Sequence, residues 1–592
     1  MRLSPVFFLL VVLAAPLPAP AQQGSATDLA GLWEAKLRFG PDIRGPLILE
    51  HVASTWRAEI AGRSAEAHVA GDTITFELPD GGGGFRGHLT AGRGGRGGRG
   101  RIVGHWIQAI AVTNGLRFAS PVTLTRARTA EQWQGDVDPL ADEFTIYLKV
   151  EPKPDGSIRA FLENPERNLG RFVRVATLER AGSAVRLLAA PANGKPGSVL
   201  AEGVLRDDVL SIPLRGSTYD FRRVAPNEAS DFYPRGHPGV GAAYTYRAPT
   251  ALDDGWPVGT AEQVGLSREA LETLVRTIID APIDSVSSLE THGVLVARHG
   301  RLVLEEYFHG EHRDKPHDTR SAAKSLTATL LGAAIQAGVP LSPRSLVYQV
   351  MNGGTLASDL DPRKRALTVE HLLTQTSGLD CDDSDPNSPG NEDAVAEQTA
   401  EPDWWKLTLA LKMIRDPGTR PVYCSVQPNL VGGVLRTAAG RPLVELFHDL
   451  IAEPLEIRRY WMNLTPTGEA YMGGGVRFLP RDFMKLGQLM INGGTWHGRR
   501  IVSAEWAKRA TSPLIQFGSE RYGYLWWVMD YPYKGRTIQA FYAGGNGGQV
   551  VMGIPALDVV VAFYGGNYSD RVGFQVQERL VPDYVLPAVV GN

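Results

Sequence analysis

From Asp28 to Val224 the apolar side chains recur at every second position, in short runs closed by Gly, Asp, Asn or Pro. DTITFELPDGGGG and DEFTIYLKVEPKPDGS show the pattern. A period of two puts successive side chains on opposite faces of a strand, whereas a helix needs an apolar residue every three or four. This stretch therefore reads as all-β, built from short antiparallel strands. It also echoes itself. GLWEAKL (Gly31–Leu37) returns as EQWQGDV (Glu131–Val137), TWRAEI (Thr55–Ile60) as SIRAFL (Ser157–Leu162), and PVTLTRA (Pro121–Ala127) as TYDFRRVA (Thr218–Ala225). The echoes divide it into two β-rich repeats, 28–127 and 128–225, each expected to form a small antiparallel sheet or barrel.

Beyond it the texture changes. Residues 226–260, rich in Pro and Gly, read as a linker. SREALETLVRTIID is an amphipathic helix, and THGVLVARHGRLVLEEYF is two strands joined through His299-Gly300. From Ser321 to about Trp506 the pattern is mainly helical. YGYLWWVMDY, GRTIQAFYAGG, GQVVMGIP and LDVVVAFYGG return to strands, and a last helix near GFQVQERLVPDYV closes the chain. Strands at both ends with helices between predict a multidomain chain whose last part, 261–592, is an α/β domain. One antiparallel sheet would be assembled from both ends of that domain, with a helical lobe inserted.

The chain has 592 residues and a net charge of −3, so neither a nucleic-acid partner nor an anionic membrane surface is implied. Its one notable basic run, AGRGGRGGRGR (Ala91–Arg101), lies between strand-like segments and reads as a solvated loop. The N-terminus carries Arg2, an apolar run from Val6 to Ala15, and Ala19-Pro20-Ala21. This is the form of a secretory signal peptide, 1–21, cut after Ala21. No later run is long and apolar enough to span a bilayer. The expected product is an exported protein, periplasmic or secreted. Export makes Cys381 and Cys424, the only two cysteines, informative. An oxidising compartment favours a disulfide between them; two separate buried thiols are the alternative.

The chemistry concentrates in DTRSAAKSLTATLLGAAIQAG (Asp318–Gly338), read as the most apolar helix of the chain. Ser321 and Lys324, three residues apart, share one face of it. A serine hydroxyl needs a base beside it to become a nucleophile. A lysine in so apolar a helix is partly desolvated, which favours the neutral amine and makes it a usable base. The helix N-terminus favours developing negative charge, with Asp318 or Thr319 as its cap. S-x-x-K occurs nowhere else in the chain, and no G-x-S-x-G, H-E-x-x-H or phosphate-binding loop competes with it. HGEHRDKPH offers His309, His312 and His317 as metal ligands, but a solvated loop is the favoured reading. Trp33, Trp56, Trp106 and Trp133 read either as sugar platforms or, more commonly, as core.

SAAKSLT resembles the S-x-x-K motif of serine β-lactamases and penicillin-binding proteins. From roughly Val264 to Tyr584 the chain is similar to the β-lactamase-related serine hydrolases. That group resembles class C β-lactamases and includes family VIII carboxylesterases, D-aminopeptidases and 6-aminohexanoate-dimer hydrolases. EHLLTQTSGLD (Glu370–Asp380), PGTRPVYCSVQPNLVGGVL (Pro417–Leu435), GGGVRFLPRDFMKLGQLMINGGTWHGRRIVSAEW and AGGNGGQVVMGIPALDVVVAFYGG carry the resemblance further.

The resemblance implies that Ser321 is acylated, that Lys324 takes its proton, and that Tyr423 protonates the leaving group. Where many relatives have Asn two residues after this tyrosine, this chain has Ser425, expected to bond the lysine less firmly. The third motif departs from the family. Tyr542-Ala543-Gly544-Gly545-Asn546-Gly547-Gly548 holds no Lys or His to grip a substrate carboxylate, which favours an ester or uncharged amide. An N–H from Gly544, Gly545 or Asn546 would complete an oxyanion hole with that of Ser321. A Cys381–Cys424 bond would tie the TSGLDC loop to the tyrosine motif. The acidic DDSDPNSPGNED lacks calcium-loop spacing and reads as a solvated loop over the mouth.

The expected function is an exported serine hydrolase acting on small ester or amide substrates, with no cofactor and no metal. The alternatives are a D-amino-acid peptidase or weak β-lactamase, or a catalytically silent glycan- or peptidoglycan-binding protein. The oligomeric state is not legible.

Overall fold

The computed structural model describes residues 25–38, 43–90, 100–110, 116–127, 132–141, 143–166 and 170–590. The expected signal segment, 1–21, and residues 91–99 of the Arg/Gly run lie outside the described residues. The chain forms two compact units. One holds the chain up to Lys36, Thr145–Glu163 and Phe172–Pro226; the other holds Leu37–Phe144, Asn164–Arg171 and the chain from Asn227 onward.

The β-rich part contains β1 (Gly31–Arg38), β2 (Gly45–Val52), β3 (Thr55–Ile60), β4 (Arg63–Ala70), β5 (Thr73–Glu77), β6 (Gly84–Thr90), β7 (Arg101–Ile107), β8 (Arg117–Arg126) and β9 (Gln132–Val137). It continues through β10 (Glu143–Pro152), β11 (Ile158–Glu163), β12 (Thr177–Ala181), β13 (Ala184–Leu188), β14 (Val199–Arg206), β15 (Val209–Leu214) and β16 (Ser217–Arg223). Strands β2 to β9 pair in sequence order, and β9 pairs with both β8 and β2, which closes an eight-stranded barrel. Its interior is filled by alternate residues such as Leu47, Leu49, Ala58, Ile60, Phe76, Phe85, Trp106 and Leu124. The other sheet has the order β11-β10-β1-β16-β15-β14-β13-β12.

The sheets therefore do not divide at residue 127. Each takes its first strand from the other's segment. β9 sits between β2 and β8, and β1 sits between β10 and β16. Alternation fixes which face of a strand is apolar but not which neighbour it pairs with, so the sequence boundary misplaced both strands. Trp33, Trp106 and Trp133 are buried core residues, and only Trp56 of the four is half-buried.

The C-terminal part contains β17 (Thr291–Arg298), β18 (Arg301–Tyr307), β19 (His317–Asp318), β20 (Tyr460–Leu464), β21 (Arg477–Phe478), the hairpin β22 (Thr495–Trp496) and β23 (Arg499–Arg500), β24 (Ile515–Phe517), β25 (Glu520–Tyr522), β26 (Trp527–Tyr533), β27 (Arg536–Gly545), β28 (Gln549–Ile554) and β29 (Val559–Gly565). Its main sheet runs β18-β17-β29-β28-β27-β26-β25-β24, all antiparallel, and β17–β29 joins the two ends of the domain. Both faces are buried. On β17, Val294 and Val296 meet Leu271, Leu274 and Val275 of the helix Arg268–Ile279 and Val581 of the C-terminal helical segment. Leu295 and Ala297 face the opposite cluster with Leu326 and Leu330. Each Val or Leu so buried contributes about 1.5–3 kcal/mol, which is why this strand reads as a continuous apolar run. Among the described residues no helix is long and apolar enough to cross a membrane.

The barrel and the C-terminal part share one sheet. β8 leaves β9 near Arg126 and, at its other end, pairs with β20 through Phe118↔Asn463 and Ala119↔Met462. β20 pairs with β21, and β21 with β19. Phe118, Leu140 and Trp461 pack together there, and the Trp461 indole donates to Asp138 O at 2.9 Å. Elsewhere the Glu445 carboxylate accepts from Arg86 Nε at 3.2 Å and is hydrogen-bonded to His88 Nε2 at 2.9 Å. Glu445→Ala removes the shared acceptor of Arg86 and His88, both of which keep access to water. It is expected to lower the unfolding free energy by roughly 0.5–1 kcal/mol in urea titrations, with Glu445→Gln losing less. An unchanged midpoint for Glu445→Ala would strip these contacts of any stabilising role.

Candidate active site

β19 ends at Asp318, and the chain turns sharply through Arg320, whose φ of 49° lies in the left-handed region. Ser321 stands in a 3₁₀ turn, Arg320–Ala322, which runs into the α-helix Ala323–Gln336. Neither expected cap forms. Asp318 Oδ1 accepts from the Arg320 N–H at 2.9 Å, and the Thr319 hydroxyl donates to Val476 O at 2.6 Å. Both side chains serve the turn and its neighbouring strand, leaving the helix N-terminus without a side-chain acceptor among the described residues.

Lys324 is 1% exposed. Its Nζ donates to Ser321 Oγ at 2.9 Å and to Gly473 O at 2.6 Å. Burial alone would depress its pKa, as expected from the sequence. The net direction is the reverse: Tyr423, Glu392 and Asp383 together hold it above the ordinary lysine value, which favours the ammonium over the expected neutral amine. The carboxylates responsible come from a loop (Asp383) and the first turn of the helix Glu392–Glu397, whose approach the sequence does not announce.

Tyr423 lies with its ring centre 5.0 Å from Lys324 Nζ. It stacks on Trp527 at 6.1 Å, and Trp527 stacks on Tyr542 at 6.4 Å, forming an aromatic wall along β26 and β27. Ser425 does not hold the lysine as expected. Its hydroxyl donates to Asp383 Oδ2 at 2.7 Å, and its N–H donates to the same oxygen at 2.8 Å. Asp383 also accepts from the Glu392 N–H at 3.0 Å, while Tyr471 donates to Glu392 Oε1 at 2.5 Å. Burial, then Glu392, push the Asp383 carboxyl upward. The acidic loop is thus not wholly solvated: Asp383 turns inward, while Ser384, Asp385, Pro386 and Asn387 are exposed. Sequence reasoning missed Asp383, Glu392, Tyr471 and Gly473. The only signal for Asp383 was its place two residues after Cys381.

A disulfide joins Cys381 to Cys424, with Cα atoms 5.8 Å apart. It is buried among Leu379, Val395, Leu411, Met413 and Val426. It fastens the loop carrying Asp383 to the residue beside Tyr423.

At the third motif β27 ends at Gly545 against the Ser321 turn. A Cβ there would lie 2.4 Å from Thr319 O and 3.0 Å from Ala322 N, so only glycine permits this approach. Gly544 faces Tyr542 and Trp527. Asn546 is exposed, and its Oδ1 accepts from the Ser569 N–H at 2.6 Å.

A β-lactamase family model matches residues 283–569. This stretch belongs to the β-lactamase family. The chain is similar to a 6-aminohexanoate-dimer hydrolase from Paenarthrobacter ureafaciens, 26% identical over 227 residues, which is 37% of this chain. That match spans about half of the relative's length, 56%. Among solved structures, a family VIII carboxylesterase is 19% identical with a TM-score of 0.38, covering 48% of this chain and 90% of that one. A D-stereospecific amidohydrolase from Streptomyces is 17% identical with a TM-score of 0.37, covering 49% and 94%.

Behind the Ser321 turn, the β-lactamase-family domain buries histidines. His317 Nε2 is hydrogen-bonded to His292 Nδ1 at 2.8 Å, and His309 Nδ1 to Phe232 O at 3.1 Å. The sequence reading of a solvated loop holds for His312, which is exposed, and is corrected for His309 and His317, drawn into the core. No group of side chains fit to hold a metal occurs among the described residues.

Two outcomes follow from these contacts. Replacing both cysteines by alanine frees a loop closed across 43 residues, expected to cost about 4 kcal/mol of unfolding free energy on loop entropy. Urea unfolding of the double variant checks this, and a loss under about 1 kcal/mol would contradict it. Burial lowers His309 and His317 from 6.5 to about 4, and lowers His105 to about 3. Between 6.5 and about 4 the unfolded chain binds protons that the folded chain does not, so stability falls as pH falls. The urea midpoint should drop from pH 7 to pH 5, above the range where ordinary carboxylates titrate, and His317→Asn should flatten that slope. A pH-independent wild-type midpoint would overturn the assignment.

Proposed function

We propose that the chain is an exported serine hydrolase that cleaves ester or amide bonds of small substrates through an acyl-enzyme on Ser321. The observation that carries this reading is the 2.9 Å contact between Ser321 Oγ and a buried Lys324. Export rests on the signal-like N-terminus and on a disulfide suited to an oxidising compartment.

The ammonium and the tyrosine act as a coupled pair. Once Lys324 has released its proton, its neutral amine lies 2.9 Å from Ser321 Oγ, ready to take the hydroxyl proton as the oxygen attacks a carbonyl. The Tyr423 hydroxyl would give its proton to the leaving alkoxide or amine and regain one from the Lys324 ammonium. The N–H groups of Ser321 and Gly545 would stabilise the oxyanion. Water repeats the attack and frees Ser321.

The test is intact-protein mass spectrometry after treatment with a fluorophosphonate. One adduct is expected on the wild type and none on Ser321→Ala, and Lys324→Ala should slow labelling by at least about a hundredfold. Well-folded wild type that takes no adduct would overturn the reading and turn attention to the β-rich half as a binding module.

A further inference from the structure

The eight-stranded barrel, β2 to β9, is packed at its centre and open at one end. Every second side chain of a strand faces inward, so each core row runs on to a last inward residue at the mouth. β2 ends the row Leu47, Leu49 with His51, and β3 ends Ile60, Ala58 with Trp56. β8 ends Val122, Leu124 with Arg126, and β9 ends at Trp133. On β4 to β7 the same positions hold Val69, Ile74, Leu89 and Ile102. These side chains, one from each strand, line a single cavity of about 320 Å³, large enough for a small molecule.

The final layer is not sealed. Ile74, Ile102 and Trp133 make a buried floor, yet Val69 and Leu89 face inward and are 43% and 46% exposed, and Trp56 is half-buried. Inward aliphatic side chains left in water form an apolar surface suited to a ligand. The wall has two unlike sides. β8, β9, β2 and β3 are successive neighbours in the barrel and present Arg126, Trp133, His51 and Trp56 in that order. Arg126 pairs with Trp133 across the ladder, its guanidinium 5.7 Å over the indole, and His51 pairs with Trp56, ring centres 5.3 Å apart. The side made by β4 to β7 is aliphatic. Asp72 lines the rim as well, but its Oδ1 lies 3.6 Å from His88 Nδ1 and accepts from the Thr73 hydroxyl at 3.4 Å. His88 and Thr73 are outward residues of β6 and β5, so the carboxylate is engaged on the outer face.

We propose that this barrel mouth is a binding site for a small aromatic acid, a planar ring system bearing a carboxylate. The indoles of Trp56 and Trp133 give the ring flat faces to stack on, and the aliphatic side covers its far face. Arg126 stands in the same wall at the exposed end of its strand, where a guanidinium takes a carboxylate without burying charge. An alkyl acid would use the aliphatic side and leave the indole faces idle. A sugar would need hydrogen-bond partners that four aliphatic side chains do not offer. The site is separate from Ser321 and holds whether or not that serine is acylated.

The experiment titrates the full chain by calorimetry at neutral pH with 2-naphthoate, the neutral 2-naphthamide, octanoate and maltose. Naphthoate should bind at one site per chain, at least about tenfold tighter than each of the other three. Trp56→Ala should weaken naphthoate by about tenfold or more, and Arg126→Gln should bring the naphthoate-to-naphthamide ratio to within about threefold of unity. Leu89→Glu alters a side chain already open to water, so the fold is kept, and its charge should weaken naphthoate by at least about tenfold even if Trp56→Ala fails to fold. Naphthoate held in the Ser321 site would ignore all three substitutions, and that result would overturn the proposal. So would no binding of naphthoate by the wild type, equal affinity for naphthamide, or tighter binding of octanoate or maltose.

Discussion

A charged lysine sealed from water is the constraint on which the rest of the active site depends. An ammonium taken out of water costs several kcal/mol unless hydrogen bonds and opposite charge replace its hydration. Lys324 receives both. Ser321 Oγ and Gly473 O accept its protons, and the Glu392 and Asp383 carboxylates supply negative potential. These groups come from four separate stretches of chain, and each is held by a contact of its own. Gly473 must be glycine, because a Cβ there would lie 2.4 Å from Tyr471 Oη. Asp383 is fixed by two donors on Ser425, and Glu392 by Tyr471. The helical lobe can thus be understood as what brings these acceptors to one point.

The main sheet fixes the other side of the problem. β27 must end flush against the Ser321 turn, and glycine at 545 allows it. The turn is itself the end of β19, the last strand of a sheet that begins in the barrel and passes through β8, β20 and β21. A register slip of one residue anywhere in that path would reverse the faces of the strands beyond it. The barrel is therefore coupled by backbone hydrogen bonding to the segment that delivers the nucleophile. The barrel is no detachable appendage to that segment.

Much of this was legible in the sequence. The i, i+3 relation of Ser321 and Lys324 needs only helical geometry, and the 3₁₀ start of the segment still brings them to 2.9 Å. The sheet built from both ends of the domain was readable because β17, β28 and β29 are apolar on both faces. What the sequence hid is non-local. Period-two alternation says nothing about partner choice, so the exchange of β1 and β9 between sheets was invisible. The charge of Lys324 was misread because its apolar helix is visible in sequence while the carboxylates facing it, Asp383 and Glu392, lie some sixty residues or more away. Ser425 was assigned to the lysine by its position in the tyrosine motif, and Asp383 claims it instead.

The disulfide links those hidden parts to the cell's chemistry. Cys381 and Cys424 flank the two elements that face Lys324, namely the loop bearing Asp383 and the segment bearing Tyr423. Two hydrogen bonds from Ser425 hold Asp383 in place, and Ser425 follows Cys424 directly. The covalent tie fixes Ser425 and Asp383 relative to each other before either hydrogen bond forms, so the loop's ordering entropy is borne largely in the unfolded chain. A loop this polar and this exposed over Ser384–Asn387 has little apolar surface to hold it otherwise. The oxidising environment expected from the N-terminus and the electrostatics that keep Lys324 charged thereby become parts of one argument.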